Sequence, residues 1–219
     1  MEKILVVCAH PDDETLGIGG TLALHAAKKD EISILIMTDG ETSRRENIGI
    51  KSRQQQAINA CKILGITDIE FLSFEDQKLD TIPLLELNKK IEMKMKKVNP
   101  TILYTHFWGD LNKDHRCVFE SVAVASRPLK NKKLKKFICF ETPSSTDYTI
   151  GDETYKPNLF VDIENVLSKK LEALSNYKNE INEYPHPRSI DAVKNRSGYW
   201  GSVCGLKSAE ALIIYREIS

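Results

Sequence analysis

The chain has 219 residues, room for one α/β domain with a substantial core and too few for two full domains. Its 31 Lys and Arg balance 31 Asp and Glu, so no net charge draws it to nucleic acid or anionic lipid, and no run approaches the ~20 apolar residues of a membrane span. Five cysteines without a CxxC pair, and an N-terminal apolar run that ends in acidic residues instead of a cleavage site, point to a reducing, cytoplasmic setting.

The predicted elements alternate. "KILVVCA" (3–9) is a nearly continuous apolar run and reads as a buried parallel strand. "TLGIGGTLALHAAKK" follows with helical spacing, and His25 near its end reads as a surface residue. "EISILIMT" (31–38) is a second strand. "RQQQAINACKILG" (53–65) is a helix capped by Gly65, and "DIEFLSF" (68–74) is a third strand. "IPLLELNKKIEMKMKKV" (82–98) is an amphipathic helix with Pro83 in its first turn and Pro100 after its end. "TILYTHF" (101–107), "DHRCVFESVAVASRPL" (114–129) and "KKFICFE" (135–141) continue as strand, helix and strand, and the basic run 130–136 reads as a solvated loop. Cys8 and Cys139 fall in apolar runs and read as small buried hydrophobes. Beyond 142 the pattern loosens. "PNLFVDI" (157–163) reads as a strand, "LSKKLEALSNYKNEI" (167–181) as a helix, and "EALIIYREI" (210–218) as strand in preference to helix.

This alternation predicts a Rossmann-like α/β fold: an open, mostly parallel sheet with helices on both faces, as a single domain over 1–219. Residues 1–141 are expected to form the core, with 142–219 as a C-terminal extension. Right-handed crossovers bring the strand C-terminal ends to one edge, where such folds bind ligands.

Two clusters fall on that edge. "HPDDE" begins where the first strand ends, and "THFWGDLNKDHR" follows the fourth. Histidine nitrogen and aspartate oxygen suit zinc or a similar divalent ion, and a hydrolytic zinc site has three protein ligands and an open position. We take His10, Asp13 and His115 as the metal set. Asp12 is then a carboxylate beside the metal, as a general base requires. Glu14 reads as support through hydrogen bonds, with helix capping by Asp12 or Asp13 as the competing use of the turn. "GIGG" lacks the spacing of a dinucleotide fingerprint, and no GxSxG is present to suggest a serine hydrolase. Phe107, Trp108, Tyr148 and Trp200 read equally as a platform for a ligand or as core and rim.

"AHPDDETLGIGG", "TDGE" after the second strand, the arginine in "SRQQQAINACKILGI" and "GDLNKDHR" together resemble the LmbE-like (PIG-L) deacetylases, from the first strand to about residue 141. "EYPHPRS" and "AEALIIYR" resemble a tail seen among bacterial members. The resemblance implies a zinc-dependent hydrolase that removes the acetyl group from an N-acetylglucosamine-type amine carried on a glycoside, glycolipid or sugar nucleotide. Hydrolysis of another amide conjugate and a silent sugar-binding member are the alternatives. It also implies a small-molecule N-acetyl sugar as partner and assembly as a homo-oligomer. Ferrous iron is an alternative metal.

By position, the resemblance gives zinc ligation to His10, Asp13 and His115, the base role to Asp12 and substrate contact to Arg53, with a surface arginine as the alternative reading of Arg53. Asp110 is expected on the substrate side. Asn112 stands where many members have a histidine that stabilises the oxyanion, so an amide replaces a charged donor. His186, held extended between Pro185 and Pro187, and His106 are candidates to replace that histidine. Arg188 is a candidate for an anionic substrate group. The loops 75–81 and 142–156 are expected to meet whatever lies beyond the sugar.

Overall fold

The computed structural model describes residues 1–43, 49–149 and 151–219. Seven strands form one sheet: β1 (Lys3–Cys8), β2 (Glu31–Thr38), β3 (Asp68–Phe74), β4 (Ile102–His106), β5 (Lys136–Phe140), β6 (Leu159–Asp162) and β7 (Ala209–Glu217). Their spatial order is β3-β2-β1-β4-β5-β7-β6. β1 to β5 are parallel, with Ile4 beside Ile32 and Ile102. β7 runs antiparallel to both β5 and β6. The chain winds outward from β1 to β3, then returns to β4 on the other side of β1, so β1 and β4 flank the switch point where such sheets open a crevice.

Both sheet faces are covered, which explains the unbroken apolar strands. Ile4, Val6 and Cys8 face α1 (Asp13–Ala27), α2 (Ile50–Leu64) and α5 (Leu167–Leu174). Leu5, Val7 and Ala9 face α3 (Leu84–Val98) and α4 (Lys113–Ala125). Gly65 ends α2 in the left-handed conformation, as its position predicted, and Cys8 and Cys139 are buried. Pro83 is the N-cap of α3 and stands one residue outside the helix.

"GIGG" serves packing. A Cβ on Gly17 would stand 2.3 Å from Phe140 Cδ2, so the glycine lets α1 lie on the end of β5. Ile18 leaves helical geometry, and the N–H groups of Gly20 and Thr21 donate to the buried Glu210 carboxylate at 2.8 and 2.7 Å. Lys170 of α5 closes this clamp at 2.7 Å from Glu210.

Three further sequence expectations change. The helix from 167 ends at Leu174 instead of 181. Ser175 and Asn176 side chains donate back to the carbonyls of Leu171, Glu172 and Ala173, and the chain turns inward at Tyr177. A sixth helix, α6 (Ile190–Cys204), occupies a stretch whose sequence pattern predicts no element; Ser189 caps it by accepting from Ala192 N–H. His25 is no surface residue: its Nδ1 lies 2.8 Å from Asp30 Oδ2 and its Nε2 2.9 Å from the Tyr104 hydroxyl.

Candidate metal centre

The turn after β1 rolls straight into α1. Asp12 holds the N-cap position at φ 126°, a left-handed backbone that costs an aspartate energy, and its side chain makes no capping bond. Asp13 Oδ2 instead accepts from His10 N–H at 2.8 Å, and Glu14 Oε2 accepts from Asp12 N–H at 3.1 Å. The "TDGE" turn braces this one: Thr38 Oγ1 donates to Ala9 O, and a Cβ on Gly40 would meet Pro11 Cδ at 2.7 Å.

His10, Asp13 and His115 converge. His10 Nδ1 is 3.2 Å from both Asp13 Oδ2 and His115 Nε2, and His115 Nε2 is 3.5 Å from Asp13 Oδ2. Donors ~2.0–2.1 Å from a zinc ion at tetrahedral angles stand ~3.3–3.4 Å apart. The three atoms therefore fit a divalent cation, and Asp13 Oδ1 is buried without a hydrogen bond.

Each histidine meets carboxylates with its other nitrogen. His10 Nε2 lies 3.0 Å from Asp76 Oδ1 and 3.3 Å from Asp114 Oδ2; His115 Nδ1 lies 3.1 Å from Asp110 Oδ1. Those carboxylates hold the protons on the outer nitrogens and aim the bare lone pairs at the shared point. Burial opposes a charge on either ring. Asp13, Asp114 and Asp76 nonetheless raise His10 well above its ordinary value, and Asp13 with Asp110 pushes His115 up to about 8. The pocket is arranged for positive charge.

Among the described residues, His10, Asp76 and Asp114 form a second group close enough to hold an ion. Asp114 already accepts from the N–H groups of Gln77 and Leu79, at 2.8 and 3.1 Å, and Asp76 accepts from Ser43. These carboxylates orient His10.

The other expected site residues take varied positions. Asp12 is buried, with Oδ1 free of hydrogen bonds and Oδ2 near Arg53 Nη2 (3.3 Å) and Arg188 Nη1 (3.1 Å). Arg53 is wholly enclosed, which removes its reading as a surface arginine; its Nη2 donates to Pro11 O at 2.6 Å. Asp110, expected toward the substrate, is fully buried behind His115. It accepts from Ser145, Thr146 and Asn112 N–H, and although burial works the other way, His115 and these bonds bring it down to about 2. Asn112 caps α4, its side-chain oxygen accepting from Asp114 N–H at 2.9 Å.

His106 is locked. Its Nε2 accepts from Ala9 N–H at 2.9 Å, its ring stacks on His115 at 3.9 Å, and burial with the His115 charge drives it down to about 3. It cannot swing in as a charged donor. His186 is exposed in a turn, not an extended segment, and its Nδ1 accepts from Arg188 N–H. Arg188 Nε donates to Ser144 Oγ at 2.8 Å. Phe107 is core, Trp108 and Trp200 bond Glu153 and Glu141, and Tyr148 is exposed. Of the two loops expected around the substrate, 75–81 brings Asp76 and Gln77 to His10, and 142–156 brings Ser144 to Arg188 and Ser145 to Asp110; Ile150 in the latter lies outside the described residues.

Sequence reasoning missed Tyr177, Glu180 and Asp76. Tyr177 donates to Glu14, whose carboxyl burial pushes up to about 7. Glu180 stands 2.9 Å from Arg53 Nη1. Asp76 sits in an irregular loop, whereas Tyr177 and Glu180 fall in the end of the stretch read as a helix, where the chain instead turns inward after Leu174.

A protein-family model described as PIG-L, GlcNAc-PI de-N-acetylase, matches residues 5–126. The chain is 28% identical over 189 residues to a probable N-acetyl-α-D-glucosaminyl L-malate deacetylase 2 of Bacillus subtilis, covering 82% of this chain and 83% of that one. It is 27% identical to the diacetylchitobiose deacetylase of Thermococcus kodakarensis, covering 97% and 82%. The solved structure of the conserved protein TT1542 from Thermus thermophilus superposes with a TM-score of 0.81 at 24% identity, over 100% of this chain and 97% of that one. With more than half of its length matched by the family model, the chain belongs to the PIG-L family.

Proposed function

We propose that this protein is a metal-dependent N-deacetylase that hydrolyses the acetamide of an N-acetylglucosamine-type sugar or conjugate, releasing acetate and the free amine. One observation carries the reading: three ligand atoms converge at tetrahedral spacing beside a buried aspartate with an unbonded oxygen. The two named relatives act on different carriers of the same 2-acetamido-glucose unit, which favours that unit as the substrate here.

His10, Asp13 and His115 are the proposed ligands, with zinc the favoured ion and ferrous iron the alternative for two imidazoles and a carboxylate. When bound, the ion supplies Lewis acidity, polarising the acetyl carbonyl and making water easier to deprotonate. Asp12 Oδ1 takes the proton from water as its oxygen attacks the carbonyl carbon. The same oxygen then gives that proton to the nitrogen as the C–N bond breaks. Asn112 uses its carbonyl oxygen in the helix cap, which leaves its amide N–H to steady the developing oxyanion. Asp110, Asp76 and Asp114 keep the two imidazoles in the ligating tautomer. Arg188 and Arg53 anchor Asp12.

No helix among the described residues is long and apolar enough to cross a membrane. All five cysteines are free thiols, four of them buried, which supports a cytoplasmic assignment. Acetate release from metal-loaded protein, across N-acetylglucosamine, N,N'-diacetylchitobiose, an N-acetylglucosaminyl malate and a UDP-linked sugar, tests the function. Release from at least one is expected; none from any member would overturn it.

A further inference from the structure

The two oxygens of Asp12 have different surroundings. Oδ2 faces Arg53 Nη2 at 3.3 Å and Arg188 Nη1 at 3.1 Å, while Oδ1 is buried and makes no hydrogen bond. Neither arginine belongs to Asp12 alone. Arg53 Nη1 stands 2.9 Å from Glu180 Oε1, and Arg188 Nη1 stands 3.3 Å from Glu180 Oε2. Asp12, Arg53, Glu180 and Arg188 thus close a ring of alternating charge. Arg188, 17% exposed, is its member nearest solvent. Glu180 and Arg188 lie outside the family-matched residues 5–126.

A guanidinium presents paired N–H groups that match both oxygens of one carboxylate. An arginine with Asp12 as its sole partner would grip both oxygens. Glu180 draws one arm of Arg53 away and shares the near nitrogen of Arg188, so each arginine offers Asp12 a single nitrogen, and both nitrogens meet Oδ2. The ring is otherwise fixed: Arg53 is pinned by Pro11 O and lies over the Tyr177 ring, and Arg188 is pinned by Ser144.

We propose that Glu180 is a positioning residue for deacetylation: it holds both arginines on Oδ2 and so keeps Oδ1 of Asp12 open to the reacting water. This rests on the reading of Asp12 as the base.

Glu180→Gln tests it. The amide replaces an anionic oxygen with an N–H that faces a guanidinium, so one arginine turns fully onto Asp12. With metal-loaded protein and the member of the acetate-release panel that the wild type hydrolyses fastest, kcat should fall about 10- to 100-fold, while KM stays within about two-fold and bound metal is unchanged. A crystal structure of the variant should show an arginine nitrogen within hydrogen-bonding distance of Asp12 Oδ1. Glu180→Asp keeps the charge on a shorter arm and should give an intermediate kcat. A wild-type kcat in Glu180→Gln, or a loss confined to KM or to metal content, overturns the proposal. If the Gln variant does not fold, Glu180→Asp decides alone: kcat below wild type with KM and metal unchanged supports the role, and a wild-type kcat overturns it. If wild-type protein releases no acetate from any of the four panel compounds, the function reading fails by itself, and the crystal structure still decides whether Glu180 keeps Oδ1 open.

Discussion

The two edges of one sheet use the same residue types to different ends. Toward the N-terminal edge, Asp30, His25 and Tyr104 form a chain in which both imidazole nitrogens have partners. At the C-terminal edge, His10 and His115 point nitrogens at one another 3.2 Å apart, and Asp12 Oδ1 and Asp13 Oδ1 are buried with no hydrogen bond. An unsatisfied buried polar atom costs ~1–3 kcal/mol, so a fold keeps several together only where something else uses them. What separates a site from a structural cluster is unmet valence, not composition.

The sharpest way to break this contrast is Asp12→Asn. It keeps the shape but removes the proposed proton acceptor, so kcat should fall by ~10²–10⁴ with metal content unchanged; full activity with metal bound would return Asp12 to the structural side. Asp110→Asn is next. Losing the carboxylate behind His115 should weaken metal binding about 10- to 100-fold, read by competition with a chromogenic chelator. His25→Ala strips the opposite edge. It should cost ~1–3 kcal/mol in urea unfolding and leave acetate release per folded molecule unchanged; a fall in kcat would show that the edges are coupled.

The smallest effect is a pH dependence. Burial pushes the Asp30 carboxyl up, but the Glu2 N–H and the His25 ring outweigh it and hold Asp30 below its ordinary value. The folded protein therefore binds that proton less tightly than the unfolded chain. Its stabilisation is full above ~pH 5 and fades as pH falls through ~3.9 toward the folded value. The stability gap between wild type and Asp30→Asn should shrink over that range in urea titrations.

Much of this was legible in the sequence where a regular pattern met a strand end. β2 and β3 fall on the predicted residues, and His10, Asp13 and His115 stood out because strand ends of a parallel sheet share one edge. What was hidden has a common cause. α6 carries Gly198 and Gly201 and lacks a clear apolar stripe; Gly201 is there because a Cβ would stand 2.7 Å from Leu206 O as the chain doubles back into β7. Glu180, Tyr177 and Glu210 act through partners more than a hundred residues away, a pairing that local periodicity does not encode. His25 misled for the same reason: an amphipathic pattern shows which way a helix faces, not that Asp30 and Tyr104 will enclose one of its polar residues.

The place of β7 between β5 and β6 has a consequence for how the molecule is made. β6 is synthesised first, yet it joins the sheet only through β7. It must wait for α5, the turn that bears Glu180, and α6 to leave the ribosome. The N-terminal strands can pair early, while α1 still lacks the Glu210 carboxylate that holds its kink. The nascent chain thus assembles the proposed metal ligands before the clamp and the charged ring beside Asp12, and catalytic competence should be among the last properties it acquires.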